Sequence, residues 1–320
     1  MSEKVNYYYY EIMEALNIKQ MILQGPPGTS KTYTAKKIVA ENFAKEELNS
    51  KDKIKEILEK NSDHWRIVQF HPSYCYEDFV RGITVSTRRN NVVYKTVNKV
   101  FGEMCELAAK DKDLGNPYFL IIDEINRADL AAVFGELIYA LEYRGESVSI
   151  PYEIYGNSTL TVPDNLYIIG TMNTADRSVG TIDYAIRRRF LFFDLLPSEV
   201  VLNDFYDKNE EAAKDIKNTA IECFKNVNTF IEKCISREYR AEDFKIGHTY
   251  FMIKKDNNDS KKQLANRLRY QVLPILREYA IDGILQDIQK HEGITDEAIL
   301  PYIFNGKPLG NVDLLKSLGV

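Results

Sequence analysis

The chain has 320 residues, of which 44% are apolar and 28% charged, with a formal net charge of −5. That length holds one large domain and a smaller one, each able to bury its own core. The acidic balance excludes a bulk electrostatic pull toward nucleic acid, which needs clustered Lys and Arg. No apolar run approaches a membrane span, and the polar start MSEKVNYYYYEIMEAL excludes a signal peptide, so a cytoplasmic protein without membrane association is expected. Cys75, Cys105, Cys223 and Cys234 lack C-x-x-C spacing and a nearby His pair, and read as free, buried thiols.

In chain order, the spacing predicts a helix over residues 5–18, with the tyrosines at 7–10 straddling its start. Residues 20–24 (QMILQ) form a buried strand that enters a Gly/Pro turn, and residues 32–47 carry helical periodicity. The charged stretch 46–64 reads as a solvated helical insert. A second strand falls at 66–70, a hairpin strand at 91–95, a helix at 99–110 and a third buried strand at 118–122. One helix is predicted over 129–143, then a β-hairpin over 147–150 and 158–162. Further buried strands fall at 166–170 and 190–194, and a β-like stretch at 246–253. Short apolar strands separated by helices predict a parallel α/β sheet flanked by helices. The character changes after Leu196-Pro197-Ser198. We therefore expect a large α/β domain over 1–197 and a smaller, mainly helical one over 198–320.

Four motifs carry chemistry. GPPGTSKT, formed by Gly25, Pro26, Pro27, Gly28, Thr29, Ser30, Lys31 and Thr32 and followed by Tyr33, sits between a strand and a helix. In that context small residues let backbone N–H groups converge on phosphate oxygens at a helix N-terminus. Lys31 reaches the β- and γ-phosphates, and the Thr32 hydroxyl meets Mg²⁺. Ser30 departs from the pattern, which places Gly there. FLIIDE ends a buried strand in Asp123, expected to hold Mg²⁺ through water, and Glu124, expected to polarise the attacking water. GTMNTADRS (170–178) offers the Asn173 amide to a γ-phosphate or lytic water, with the charges of Asp176 and Arg177 close by. IRRRF (186–190) offers arginines able to act on a neighbouring subunit's γ-phosphate, while at least one of the three should serve an intradomain ion pair or the surface.

The order of phosphate loop, strand-end acids, polar strand tip and arginines resembles a P-loop AAA+ fold. Within it, MNTADRS followed by D-x-A-x-R-R-R-F looks like the McrB group, the nucleotide-hydrolysing motor of modification-dependent restriction systems. FHPSYCYEDFVRGI (70–83), IIDEINRADLAAVFGELIYALEYRGE (121–146) and FKIGHTYFM (244–252) agree. The resemblance implies a helical lid over the second domain, a homo-oligomeric ring expected to be a hexamer, and nucleotide held between subunits. It also implies GTP in preference to ATP, an McrC-like nuclease partner and a role in phage defence. Carried over, Asn173 is the sensor amide, Asp176 lies in the same loop, and Arg187 and Arg188 are the foremost trans arginines. Gly247 and His248 match an I-G-H-[ST]-Y-F stretch, where a structural hairpin is as good a reading as a nucleotide role. Members carry a DNA-reading domain ahead of the loop, so DNA is expected to be met through another domain or subunit. The alternative is an ATP-hydrolysing AAA+ remodelling factor with another client.

Overall fold

The computed structural model describes residues 5–48, 50–88, 91–176, 182–209, 211–255, 259–287, 294, 299–310 and 313–318. Two compact units emerge: Met1–Gln24 with Lys31–Asp194, and Gly25–Ser30 with Leu195–Val320. The phosphate-loop segment Gly25–Ser30 therefore packs with the second unit, although the sequence suggests that it belongs wholly to the first.

The first unit opens with α1 (Val5–Ala15), β1 (Gln20–Gly25), α2 (Lys31–Ala44), α3 (Lys51–Lys60), β2 (Trp65–Gln69) and α4 (Tyr76–Phe79). A ribbon of β3 (Arg81–Arg88) and β4 (Asn91–Asn98) follows, then α5 (Val100–Lys110) and β5 (Tyr118–Asp123). Next come α6 (Leu130–Phe134), α7 (Leu137–Ala140), a second ribbon of β6 (Ser147–Ile154) and β7 (Asn157–Thr161), β8 (Leu166–Asn173), α8 (Tyr184–Arg187) and β9 (Leu191–Asp194). The tyrosine run lies inside α1 and does not straddle its start.

The five-stranded sheet runs β2-β5-β8-β1-β9, and the pairs β2–β5, β5–β8 and β1–β9 are parallel. Val, Ile and Leu dominate its centre because both faces are covered; Phe119, Leu120, Ile121 and Ile122 are all buried. The order sets β8 between the strand that enters the phosphate loop and the strand that ends in Asp123. Groups at the carboxyl ends of these strands are thereby gathered where α/β sheets bind ligands.

The single helix expected over 129–143 is broken. Gly135 adopts φ 49°, a left-handed value that a side chain resists, and α6 stops there. Asp129 caps α6 by accepting from the N–H groups of Ala131 and Ala132 at 3.1 and 3.2 Å. The two ribbons are tied by the buried Arg81. Its Nε donates to Asn98 Oδ1 at 2.7 Å, and its Nη1 to the carbonyls of Tyr152 and Asn157 at 2.9 and 3.0 Å. Cys105, Cys223 and Cys234 are buried, but Cys75 is only half-buried, with its thiol on Asp78 Oδ2 at 3.0 Å. Among the described residues, no helix is long and apolar enough to cross a membrane.

The second unit contains α9 (Glu199–Lys208), α10 (Lys217–Cys234), α11 (Ser260–Arg267), α12 (Leu273–Ile281), α13 (Ile299–Asn305) and α14 (Leu314–Ser317). Ala220, Cys223, Phe224, Val227, Phe230 and Ile231 form the buried face of α10, at the helical spacing that a core demands. The stretch 246–253 is not a β-hairpin: His248–Phe251 is a short 3₁₀ turn, with the extended residues Gly247 and Met252 on either side of it. Asn228 on α10 holds it in place, donating to the Ile246 carbonyl at 3.1 Å and accepting from the Ile246 N–H at 2.7 Å.

Candidate nucleotide site

In the first unit, Lys31 and Thr32 start α2, Asp123 ends β5 with Glu124 next in the chain, and Asn173 ends β8. Thr32 Oγ1 donates to Asp123 Oδ1 at 2.7 Å, which joins the helix start to the strand end. Asp123 Oδ1 also accepts from Thr171 Oγ1 at 2.6 Å, and that same hydroxyl lies 3.2 Å from the Glu124 N–H. Thr171 fixes both acids and was not singled out from the sequence. The available signal was its period-two spacing from Asn173, since residues two apart on a strand share a face.

Glu124 adopts φ 54°, a left-handed conformation costing on the order of 1–3 kcal/mol for a residue with a side chain. The strain turns its carboxylate toward β8. Asn173 Nδ2 donates to Glu124 Oε1 at 2.6 Å, and Arg127 Nε lies 3.4 Å from Glu124 Oε2. Arg127 Nη2 in turn pairs with Asp176 Oδ2 at 2.9 Å. Glu124, Asn173 and Asp176 are thus brought together, joined by Arg127, which the sequence reading passed over. Arg177 and Ser178 of the same motif lie outside the described residues.

Lys31 is 8% exposed. Burial pushes its ammonium down to about 8, opposed by the nearby carboxylates of Glu124 and Asp123. A lysine so placed is poised to gain a strong anionic partner. Tyr33, on the same first turn of α2, is half-buried beneath the ammonium of Lys51, 5.4 Å from its ring centre.

The three arginines separate cleanly. Arg189 is buried, with Nη2 on Glu142 at 2.6 Å and Nη1 donating to the Ala185 carbonyl at 2.6 Å. Arg188 is 65% exposed along its side chain and 3.6 Å from Glu142. Arg187 is exposed, with its guanidinium 4.7 Å from the centre of the Phe192 ring. Arg189 is the intradomain member; Arg187 and Arg188 face outward.

In the second unit, Gly25, Pro26, Pro27, Gly28, Thr29 and Ser30 pack on the turn at 247–250. The Gly247 N–H donates to the Pro27 carbonyl at 3.0 Å, and the Thr249 N–H to the Gly28 carbonyl at 3.1 Å. The Thr249 hydroxyl adds a second bond to Gly28 at 2.9 Å, and the Thr29 hydroxyl bonds the Pro26 carbonyl at 3.0 Å. Gly28 has φ 79°, and Ser30 has φ 65° in the place where the pattern expects Gly.

A phosphate-loop sequence between strand β1 and helix α2, in a chain whose first unit also carries two acids where β5 stops and an amide at the end of β8, is that of a P-loop protein. Residues 20–190 match the AAA domain of the dynein-related subfamily, and residues 219–302 match the alpha-helical lid domain of McrB. The chain is 35% identical over 279 residues to the type IV methyl-directed restriction enzyme EcoKMcrB subunit of Escherichia coli (strain K12), covering 85% of this chain and 56% of that protein. It is 27% identical over 209 residues to the type II restriction enzyme BsuMI component YdiS of Bacillus subtilis (strain 168), covering 54% and 56% respectively. A crystal structure from Cytophaga hutchinsonii aligns over 97% of this chain and 78% of its own at 13% identity, with a TM-score of 0.37. The chain belongs to the AAA+ proteins and, with an McrB lid following its AAA domain, is of the McrB type. It spans about half the length of the curated relatives it matches.

Proposed function

We propose that this chain is a Mg²⁺-dependent nucleoside triphosphatase that acts on GTP as a subunit of a hexameric ring and drives an McrC-like nuclease partner in the restriction of foreign, modified DNA. The observation that carries the hydrolytic part is the joined set Thr32–Asp123–Thr171 beside Asn173–Glu124. Its restriction role is supported by its likeness to two restriction-enzyme subunits. GTP, the ring and the nuclease partner rest on the resemblance carried by MNTADRS and the arginines.

The residues suit the chemistry. Thr32 Oγ1 and Asp123 Oδ1, 2.7 Å apart, form an oxygen-only donor set. Mg²⁺ takes one or two protein oxygens together with phosphate and water, so this set fits it. When bound, the ion would supply charge neutralisation at the phosphate oxygens. Lys31 binds the β- and γ-phosphates as a cation. Glu124 accepts the proton of the attacking water, and Asn173 orients that water or the γ-phosphate. Here Asn173 also holds one oxygen of Glu124, so the same amide governs the direction in which the base points. Arg187 or Arg188 of a neighbouring subunit neutralises charge that develops on the γ-phosphate.

Turnover measured with GTP and with ATP tests the reading. Hydrolysis of GTP, lost by at least about a hundredfold in Glu124→Gln with nucleotide binding retained, is the expected result. Hydrolysis of ATP alone would replace GTP and favour a remodelling factor with another client. Unchanged turnover in Glu124→Gln would remove Glu124 from the chemistry. Mass measurement with a non-hydrolysable GTP analogue tests the ring.

A further inference from the structure

The Ser30 substitution in the phosphate loop has a partner in the helical unit. His248 is buried at 3% exposure, on the 3₁₀ turn that follows Gly247. The Ser198 N–H, at the start of α9, donates to His248 Nδ1 at 3.3 Å. A ring nitrogen that accepts from an N–H carries no proton, so the neutral ring bears its hydrogen on Nε2. Nε2 lies 3.3 Å from Ser30 Oγ and therefore donates to it.

Ser30 needs such a restraint. At φ 65° it occupies a conformation that glycine adopts freely and serine resists. The residue after it is Lys31, whose backbone opens α2 and whose ammonium would meet the phosphates. A relaxation at Ser30 re-aims Lys31 directly through the chain.

We propose that His248 is a positioning residue for nucleotide phosphates: its Nε2–H holds the Ser30 hydroxyl and so keeps the phosphate loop in its left-handed turn. This rests on the reading that the loop binds a nucleotide triphosphate. The pairing also assigns a reason for serine in a position where the pattern has glycine. Glycine would need no holder, whereas serine lets the helical unit set the shape of the loop through one hydrogen bond.

The test is a double-mutant cycle of His248→Ala and Ser30→Gly, read by titration with mant-labelled GTP and ATP, by KM and kcat separately, and by thermal unfolding. His248→Ala alone should weaken nucleotide binding about three- to tenfold, the range for one hydrogen bond, and raise KM more than it lowers kcat. Ser30→Gly should remove most of that loss, because a glycine holds φ 65° unaided. His248→Gln, whose amide can donate to Ser30, should lose less than His248→Ala. Equal losses from His248→Ala with Ser30 intact and with Ser30→Gly in place would overturn the proposal, as would a fall in unfolding temperature with no change in KM. If the unaltered chain binds neither nucleotide, it is the nucleotide-site reading that fails; binding by the unaltered chain with an additive cycle sinks the His248 assignment alone.

Discussion

Truncating each of the three arginines in turn should separate a structural role from a chemical one. Arg189→Ala removes a buried guanidinium with a 2.6 Å pair to Glu142 and a 2.6 Å bond to Ala185. Glu142 is 40% exposed, so water re-solvates it and the penalty stays below that of a fully buried broken pair. A charge-assisted bond of this kind contributes about 1.5–3 kcal/mol. At roughly 2–4 °C per kcal/mol for a domain of this size, the melting temperature should fall by about 3–12 °C. Arg188, mostly exposed and 3.6 Å from the same carboxylate, contributes less than about 1 kcal/mol to stability. Arg187 over Phe192 contributes about 0.5–1 kcal/mol. Their truncation should leave melting within about 4 °C of the unaltered chain, yet remove about a thousandfold or more of turnover if one of them reaches a neighbour's γ-phosphate. Calorimetry and a phosphate-release assay give both readouts. Mixing the inactive arginine variant with Lys31→Ala chains should restore turnover, since each Lys31-bearing site can then face an intact arginine. The reasoning fails if both Arg187→Ala and Arg188→Ala keep full turnover, or if either melts as low as Arg189→Ala.

Two other outcomes follow from the site. In Gly247→Ala the new Cβ would sit 2.0 Å from the Gly28 carbonyl carbon and 2.5 Å from the Pro27 carbonyl oxygen. Neither backbone atom can yield without moving the phosphate loop, so mant-nucleotide binding should weaken at least about tenfold; unchanged affinity would show that the loop tolerates the shift. The depressed Lys31 ammonium, near 8 against a usual lysine value above 10, gives a signed pH dependence. Without nucleotide, the unfolded chain holds that proton more tightly, so Lys31 adds stability as pH climbs through about 8 and withholds it below. The comparison with Lys31→Met by denaturant titration isolates that effect. Nucleotide affinity runs the opposite way. It should fall by up to about tenfold per pH unit above 8, as the ammonium must be recharged to meet the phosphates; constant affinity from about pH 7.5 to 9.5 would contradict this.

Much of the fold was legible because buried parallel strands are nearly continuous apolar runs: 20–24, 118–122 and 166–170 each fall within an observed strand. Two features were hidden for physical reasons. Apolar periodicity continues through Gly135, so the pattern suggested one helix where a single left-handed residue makes two short ones. The stretch IGHTYFMI alternates like a strand, yet Asn228 and the phosphate-loop carbonyls take up its backbone groups and turn it into a 3₁₀ segment. At the site, the placing of Asp123 and Glu124 where β5 stops could be read directly, because the apolar run 118–122 ends there. Thr171 and Arg127 could not, since their roles depend on which strand lies beside β5 and on a left-handed Glu124. The division of the three arginines was equally invisible, because consecutive residues differ only in which of them the end of α8 and the turn after it point inward.

Arg81 has a consequence for how the first unit comes apart. One guanidinium is shared between the ribbon β3–β4 and the ribbon β6–β7 through Asn98, Tyr152 and Asn157. Opening either ribbon strands a buried cation, so the two should exchange their amide hydrogens as a single cooperative piece although α5, β5, α6 and α7 lie between them in the chain. Load applied at the tip of the β6–β7 ribbon, beside Tyr152 and Asn157, is borne at the root of the β3–β4 ribbon, at Arg81 and Asn98.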